Sequence, residues 1–318
     1  MVVMDIDRRV LGVRPSDRGP VIPDPPPVRG WTPLAGDALL DRIRVTGRPR
    51  PVADPERVAR LRDDIEQGLG LGTDLDGERP HPSTPAGTWP LVITKDRLTR
   101  ALRSETRPGG ADVEVQPPTP AMACGALIDV LFQQLVTVGS IGDPMRDGIE
   151  ALAVDERQTQ LMTWIGNLPA PERGALAAEV ARQSSDLVAR WPKLDPAWLP
   201  RTQVPMRVGL AGGSIELSGR VDLAIGRPGL GVASVAIVEV KSGGRRPEHR
   251  LDLHFYALME TLRSPAPPFA VATYYSRTGE LDVDPVSDEL LAVAARRTVA
   301  GIRALGQRQT IDAGRDRG

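Results

Sequence analysis

Apolar positions along this chain change period part-way through. From Asp54 to Leu69 they recur every three to four residues: Val58, Leu61, Ile65 and Leu69 form one stripe, Asp54 can cap, and Pro55 takes the first helical position. Ile93-Thr94-Lys95-Asp96-Arg97-Leu98 begins a short helix capped by Thr94. A stronger helix is predicted over about 121–138, with Leu127, Ile128, Leu131, Leu135 and Val138 turned inward. Helical sequence continues around 143–166 and 171–191, broken by Pro169 and Pro171. From Val204 the period becomes two, in MRVGLAG, SIELSGRVDLAIG and SVAIVEVKSG, which predicts strands. A helix over 247–262, a strand over 270–275, a turn at Thr278-Gly279 and a final helix over about 288–305 complete the order. That order predicts an α/β fold with a central mixed sheet flanked by helices.

The periodic part is not the whole chain. Pro20, Pro23, Pro25, Pro26, Pro27, Pro49 and Pro51 mark an extended segment, with a short helix expected at 37–45 and a second loop from 70 to 90. Residues 1–88 therefore read as a Pro/Gly-rich N-terminal extension with short helices, 89–306 as the folded domain, and 307–318 as a flexible tail.

Composition narrows the function. The 318 residues carry 40 basic and 41 acidic side chains, a net charge of -1, which excludes a surface coated in positive charge for non-specific nucleic-acid binding but leaves a local basic groove open. The single cysteine, Cys124, excludes an internal disulfide framework, a four-cysteine zinc site and an iron–sulfur cluster held by this chain's own thiolates; it reads as an ordinary buried residue. No run of about 18 apolar residues and no long apolar N-terminal core occurs, so a cytoplasmic protein with no membrane segment is expected. Only three basic residues are lysine, Lys95, Lys193 and Lys241, against 37 arginines, so a lysine in a chemically suggestive place is informative.

The suggestive place is 219–256. In SVAIVEVKS, Val235, Ile237, Glu239 and Lys241 share one face and Ala236, Val238 and Val240 the other. A charged pair at the end of an otherwise apolar strand is costly unless it sits in a cleft with partners. Asp222 lies on the preceding strand, and the glycine-rich turn from Gly226 to Gly231 lets the two strands run antiparallel, bringing Asp222 toward Glu239. Two converging carboxylates make a hard-oxygen site suited to Mg²⁺ or Mn²⁺. A lysine beside them can orient or help deprotonate water and offset phosphate charge, where arginine would keep its proton. Together these parts suit metal-dependent hydrolysis of an anionic ester.

Asp222 followed by Glu239-Val240-Lys241 resembles the D…ExK signature of the PD-(D/E)xK nuclease superfamily. The surrounding residues resemble its RecB-type, CRISPR-associated exonuclease branch: Gly219-Arg-Val-Asp222 matches a Gly-x-x-Asp strand, and Glu239-Val-Lys-Ser-Gly243 a Glu-x-Lys-Ser/Thr-Gly strand. Asp252-Leu-His-Phe-Tyr256 keeps the tyrosine of a Gln-x-x-x-Tyr helix but has aspartate for glutamine, and Gly125-Ala-Leu-Ile-Asp129 has aspartate where a Gly-x-x-x-His motif has histidine. The resemblance covers about 90–306. It implies a restriction-endonuclease-like core and a magnesium- or manganese-dependent deoxyribonuclease, of DNA repair, recombination or phage defence. Asp222, Glu239, the Val240 carbonyl and Asp129 would hold the metal, and Lys241 would serve the water or the developing charge. Tyr256, Asp252 and His249 would shape the substrate channel. DNA and a separately encoded helicase or ATPase are the implied partners, since the chain has no GxxxxGK[ST] loop of its own; self-association stays open.

Each candidate also has a plainer reading. Glu239 and Lys241 could be a solvated pair on an edge strand, and Asp222 could open a turn. Asp129, with Gln133 one turn on, could belong to a polar helix face. His249, Asp252 and Tyr256 share a face by spacing, while Leu251, Phe255, Leu258 and Leu262 are expected to pack inward. Arg245, Arg246, Arg250 and Arg263 make the region locally basic, as a phosphate track or as a solvated surface. The altered Asp129 and Asp252 keep a second function in view: a catalytically inactive nuclease-fold subunit for DNA binding or complex assembly.

Overall fold

A computed structural model describes residues 43, 50–70, 90–105, 117–228, 231, 233–264 and 266–315. The proline clusters before residue 50, the expected helix at 37–45 apart from Ile43, and the loop over 71–89 lie outside the described residues. Helix α1 (Pro55–Gly68) starts as its sequence implies, with the Asp54 carboxylate accepting the Arg57 N–H at 2.9 Å. After strand β1 (Leu91–Ile93) come α2 (Lys95–Glu105), α3 (Pro120–Val138), α4 (Pro144–Ala153), α5 (Thr159–Gly166) and α6 (Ala170–Arg190). Strands β2 (Arg201–Leu210), β3 (Ile215–Ile225) and β4 (Ala236–Lys241) follow, then α7 (Pro247–Arg263), β5 (Ala270–Tyr275), β6 (Glu280–Pro285) and α8 (Asp288–Arg315).

The result is the expected α/β arrangement: a six-stranded mixed sheet, open and flanked by helices. The alternation read along β4 divides two cores. Val235 and Ile237 join the core under α1, α7 and α8 with Leu61, Leu253, Leu258 and Ile302. Ala236, Val238 and Val240 face Phe132 of α3 and Leu187 of α6. A third core lies among α3–α6, around Leu127, Leu131, Leu152 and Val180.

Several elements differ from expectation. Residues 91–93 form a strand that the sequence did not show, three residues being too few for a period, and it leads directly into α2, where Thr94 caps as expected by accepting the Arg97 N–H at 3.3 Å. The 143–166 stretch is two helices, separated where Asp155 caps a 3₁₀ turn by accepting the Arg157 N–H. The α7 helix is buried all round from Phe255 to Leu262, so it has no single inward stripe, and Leu251 is only half-buried. Helix α8 continues to Arg315, through most of the stretch expected to be a flexible tail, where no proline stops it. Strand β6, which the sequence reading did not assign, pairs antiparallel with β5. Helix α3 has 19 residues and a mean hydropathy of 1.6, long and apolar enough on average to cross a membrane, although Asp129 and two glutamines interrupt it; here it packs against α4, α6 and β2.

Cys124, 5% exposed, lies in the third core, and its sulfur accepts from Gln183 Nε2 at 3.4 Å. Burial, then the nearby Glu179 charge, push the thiol up to about 11. The reactive thiolate is therefore scarce at pH 8, and a disulfide reagent is expected to label the native chain at least about a hundredfold more slowly than the unfolded one. Equal rates would remove Cys124 from the core.

Candidate active site

The site is a notch in the sheet, created by the way β3 is partnered. Along one edge β3 pairs with β2 through Arg201↔Ala224 to Leu210↔Ile215. Its other edge is shared by two strands: β1 pairs parallel with 215–217, and β4 antiparallel with 223–225. Because β1 runs with β3 and β4 against it, the carboxyl ends of β1 and β4 point toward each other, and residues 218–222 between them make no ladder pair on that side. Crevices outside strand carboxyl ends are where open α/β sheets place ligands.

Each side chain in the notch answers a need of that gap. The β3–β4 ladder stops at Leu223↔Val238; one step further, opposite Glu239, the Asp222 carboxylate accepts the Val240 N–H at 2.8 Å. The core phase slips here too, since Val221 belongs to the core under α7 while Leu223 belongs to the opposite one. On β2 the residue facing Asp222 is Gln203, held at φ 51°, a left-handed backbone that is uncommon for a side-chain-bearing residue, and its Nε2 donates to Asp222 Oδ1 at 3.4 Å. The Arg220 carbonyl, which also faces the gap, accepts the Tyr256 hydroxyl at 2.8 Å.

Glu239 is the centre, 2% exposed at the end of β4. Its Oε1 accepts from Lys241 Nζ at 2.9 Å and also from Lys95 Nζ. Its Oε2 is buried with no hydrogen-bond partner. Burial would raise the Glu239 carboxyl, but Lys95 and Lys241 outweigh it and hold it below its ordinary range, so it carries charge. Asp222 is raised by burial and by the charges of Glu239 and Asp129. Burial pushes Asp129 up to about 7, with Glu239 adding to the rise and Lys241 and Lys95 opposing it. Helix α3 reaches the end of β4 closely: a Cβ on Gly125 would lie 3.2 Å from Ser242 Oγ, which joins the Gly125–Asp129 and Glu239–Gly243 segments in space.

The structure thus brings Asp129, Asp222, Glu239 and Lys241 into one electrostatic cluster, with Val240 supplying its N–H. Among the described residues, however, no three His, Cys, Asp or Glu side chains form a ready metal-ligand group. Asp252 faces the same cluster; burial raises its carboxyl while Lys95 and Lys241 oppose the rise. The other residues of its expected face lie beside the cluster, with the Tyr256 ring under Lys95 Nζ and His249 close enough to feel Lys241 and Glu239, but their polar atoms bond to other groups. Tyr256 is 2% exposed, and its hydroxyl donates to the Arg220 carbonyl of β3. His249 Nδ1 lies 3.4 Å from the Tyr275 hydroxyl, and burial, then Lys241 and Arg246, lower the imidazole to about 4, so it is neutral at pH 7.

Most of the arginines expected to form a phosphate track are engaged by acids of this chain. Arg245 pairs with Asp282 and lies 5.7 Å above the Tyr275 ring; Arg250 makes two 2.6 Å bonds to Asp284; Arg263 pairs with Glu260. Asp282 and Asp284 come from the face of β6 opposite Leu281 and Val283, which turns toward α7, whereas Glu260 lies within α7 itself. Arg246 is exposed at the start of α7.

Sequence reasoning missed two residues, Lys95 and Gln203. For Lys95 the signal was present, since lysine is rare in this arginine-rich chain; nothing in the sequence marks Gln203. Gly219 has a packing reason: a Cβ there would stand 2.6 Å from Tyr256 Cε1. Gly219→Ala is expected to cost about 1–3 kcal/mol in urea denaturation by forcing that ring aside. A cost near zero would mean that the ring does not rest on β3.

No family model matches the chain, and no curated protein does. Among solved structures, one titled "Crystal structure of SSO0001" aligns over 64% of this chain and 84% of its own at 13% identity and a TM-score of 0.24. At that TM-score the likeness carries no argument about fold or function.

Proposed function

We propose that this chain is a metal-dependent nuclease with a restriction-endonuclease-like core of the PD-(D/E)xK type, hydrolysing phosphodiester bonds of DNA in repair, recombination or phage defence. The observation that carries the reading is the juxtaposition of Asp222, Glu239 and Lys241 at the notch. The donor set is hard oxygen, and the Glu239 Oε2, buried without a partner, is the kind of acceptor that a magnesium or manganese ion satisfies. Asp222, Glu239, the Val240 carbonyl and Asp129 would hold it. When bound, such an ion supplies charge neutralisation and acidifies water for attack on phosphorus. Lys241 orients the attacking water or offsets charge developing on the phosphate, and Asp252 borders the same space. Gln203 and the Val240 N–H fix the Asp222 carboxylate, so it does not have to be ordered during the reaction.

Incubation of wild type and Lys241→Ala with labelled single- and double-stranded DNA plus Mn²⁺ tests this. A loss of about 10²–10⁴ in rate is expected for the variant. Equal activity in the two would remove the mechanism. One observation favours the second reading, an inactive nuclease-fold subunit for DNA binding or assembly: Glu239 is already neutralised by two ammonium groups, and no ready ligand group stands among the described residues. Absent Mn²⁺ heat in calorimetry, with DNA binding retained, would select that reading.

A further inference from the structure

Two ammonium groups meet the same carboxylate oxygen in the notch, and only Lys241 comes from the Glu-x-Lys strand. The other arrives from far away: Lys95 is the first residue of α2, 144 positions before Glu239. Its side chain is 18% exposed, its Nζ donates to Glu239 Oε1 and stands 5.2 Å over the Tyr256 ring, and its charge is felt by Asp129, Asp222 and Asp252. A positive charge in the first turn of a helix opposes the helix dipole, so α2 does not itself favour a cation there. The carboxylates hold it. The residue type fits a contact that can be given up: lysine is a single point charge on a flexible stem, whereas arginine would fork onto the carboxylate with two bonds.

We propose that Lys95 is a tethered cation that competes with a divalent metal ion for the Glu239 carboxylate, gating the metal's entry to the notch. This rests on the metal-binding reading given above. Lys95 is on this view a positioning residue: while its ammonium sits on Glu239, the acids of the notch are partly neutralised from within, and a metal ion gains less by joining them. Withdrawal of the α2 terminus frees the carboxylate.

Calorimetric titration of the full chain with MnCl₂ decides the point, in wild type, Lys95→Met, Lys95→Gln and Lys95→Arg. Lys95→Met is expected to bind Mn²⁺ at least about tenfold more tightly than wild type, equivalent to about 1.4 kcal/mol. Lys95→Gln, whose amide can still donate to Glu239 without charge, is expected to move in the same direction and serves where the methionine variant fails to fold, as judged by circular dichroism. Lys95→Arg, which keeps the charge, is expected to bind no more tightly than wild type. Mn²⁺ binding by wild type that is unchanged or weakened in the neutral variants overturns the gate and leaves the metal site standing. No binding by wild type or by any folded variant overturns the metal reading and the gate together.

Discussion

Glu239→Gln is expected to lower stability by about 3–5 kcal/mol and to remove metal-dependent hydrolysis, in urea denaturation and in the labelled-DNA assay respectively. The stability loss follows from burial. Glu239 is 2% exposed and is the shared acceptor of Lys95 and Lys241, so its neutralisation leaves two enclosed ammonium groups without their counter-charge. Breaking a buried pair by removing one partner costs more than replacing both, which gives the expectation its control. In the double variant Glu239→Gln/Lys95→Met much of the stability should return, because one orphaned charge is gone, while hydrolysis should stay lost. A single variant as stable as wild type would mean that the pair is solvated and that the notch is not enclosed.

Phe132→Ala is expected to cost about 3–5 kcal/mol, read as a lower urea midpoint at unchanged denaturant slope. Phe132 is fully buried and begins a chain of rings: it meets Trp191 edge-on at 4.8 Å and 77°, and Trp191 meets Tyr274 at 4.7 Å and 69°. These rings link α3, the end of α6 and β5, and they lie beneath Val238 and Val240, the residues on either side of Glu239 in β4. Truncation at Phe132 would leave a cavity between the helical layer and the strand that carries the site. A cost under about 1 kcal/mol would show that the layer is held by other contacts.

Much of this arrangement was readable because strand periodicity is strict. The alternation in residues 235–241 assigned each side chain to its face, and the glycine-rich turn after Ile225 implied the antiparallel return that sets Asp222 beside Glu239. The hydroxyl of Tyr256 could not be read in the same way. Its partner is the Arg220 carbonyl of β3, which tertiary packing, and not spacing within α7, brings to the ring. The arginines after Lys241 looked available because their acids, Asp282 and Asp284, lie beyond an intervening helix and strand. Gln203 owes its role to a left-handed backbone within a strand, which no local preference of glutamine encodes.

The shared edge of β3 also bears on how the chain reaches its native state. Among the described residues three pairs, Leu91↔Ile215 to Ile93↔Leu217, fasten β1 to the sheet, and they bridge distant parts of the sequence. Loop closure over such a span is entropically slow, whereas β2, β3 and β4 follow one another and can zip locally. Delivery of the Lys95 ammonium is therefore expected late in folding, and in native-state hydrogen exchange the amides of 91–93 should open before those of β4.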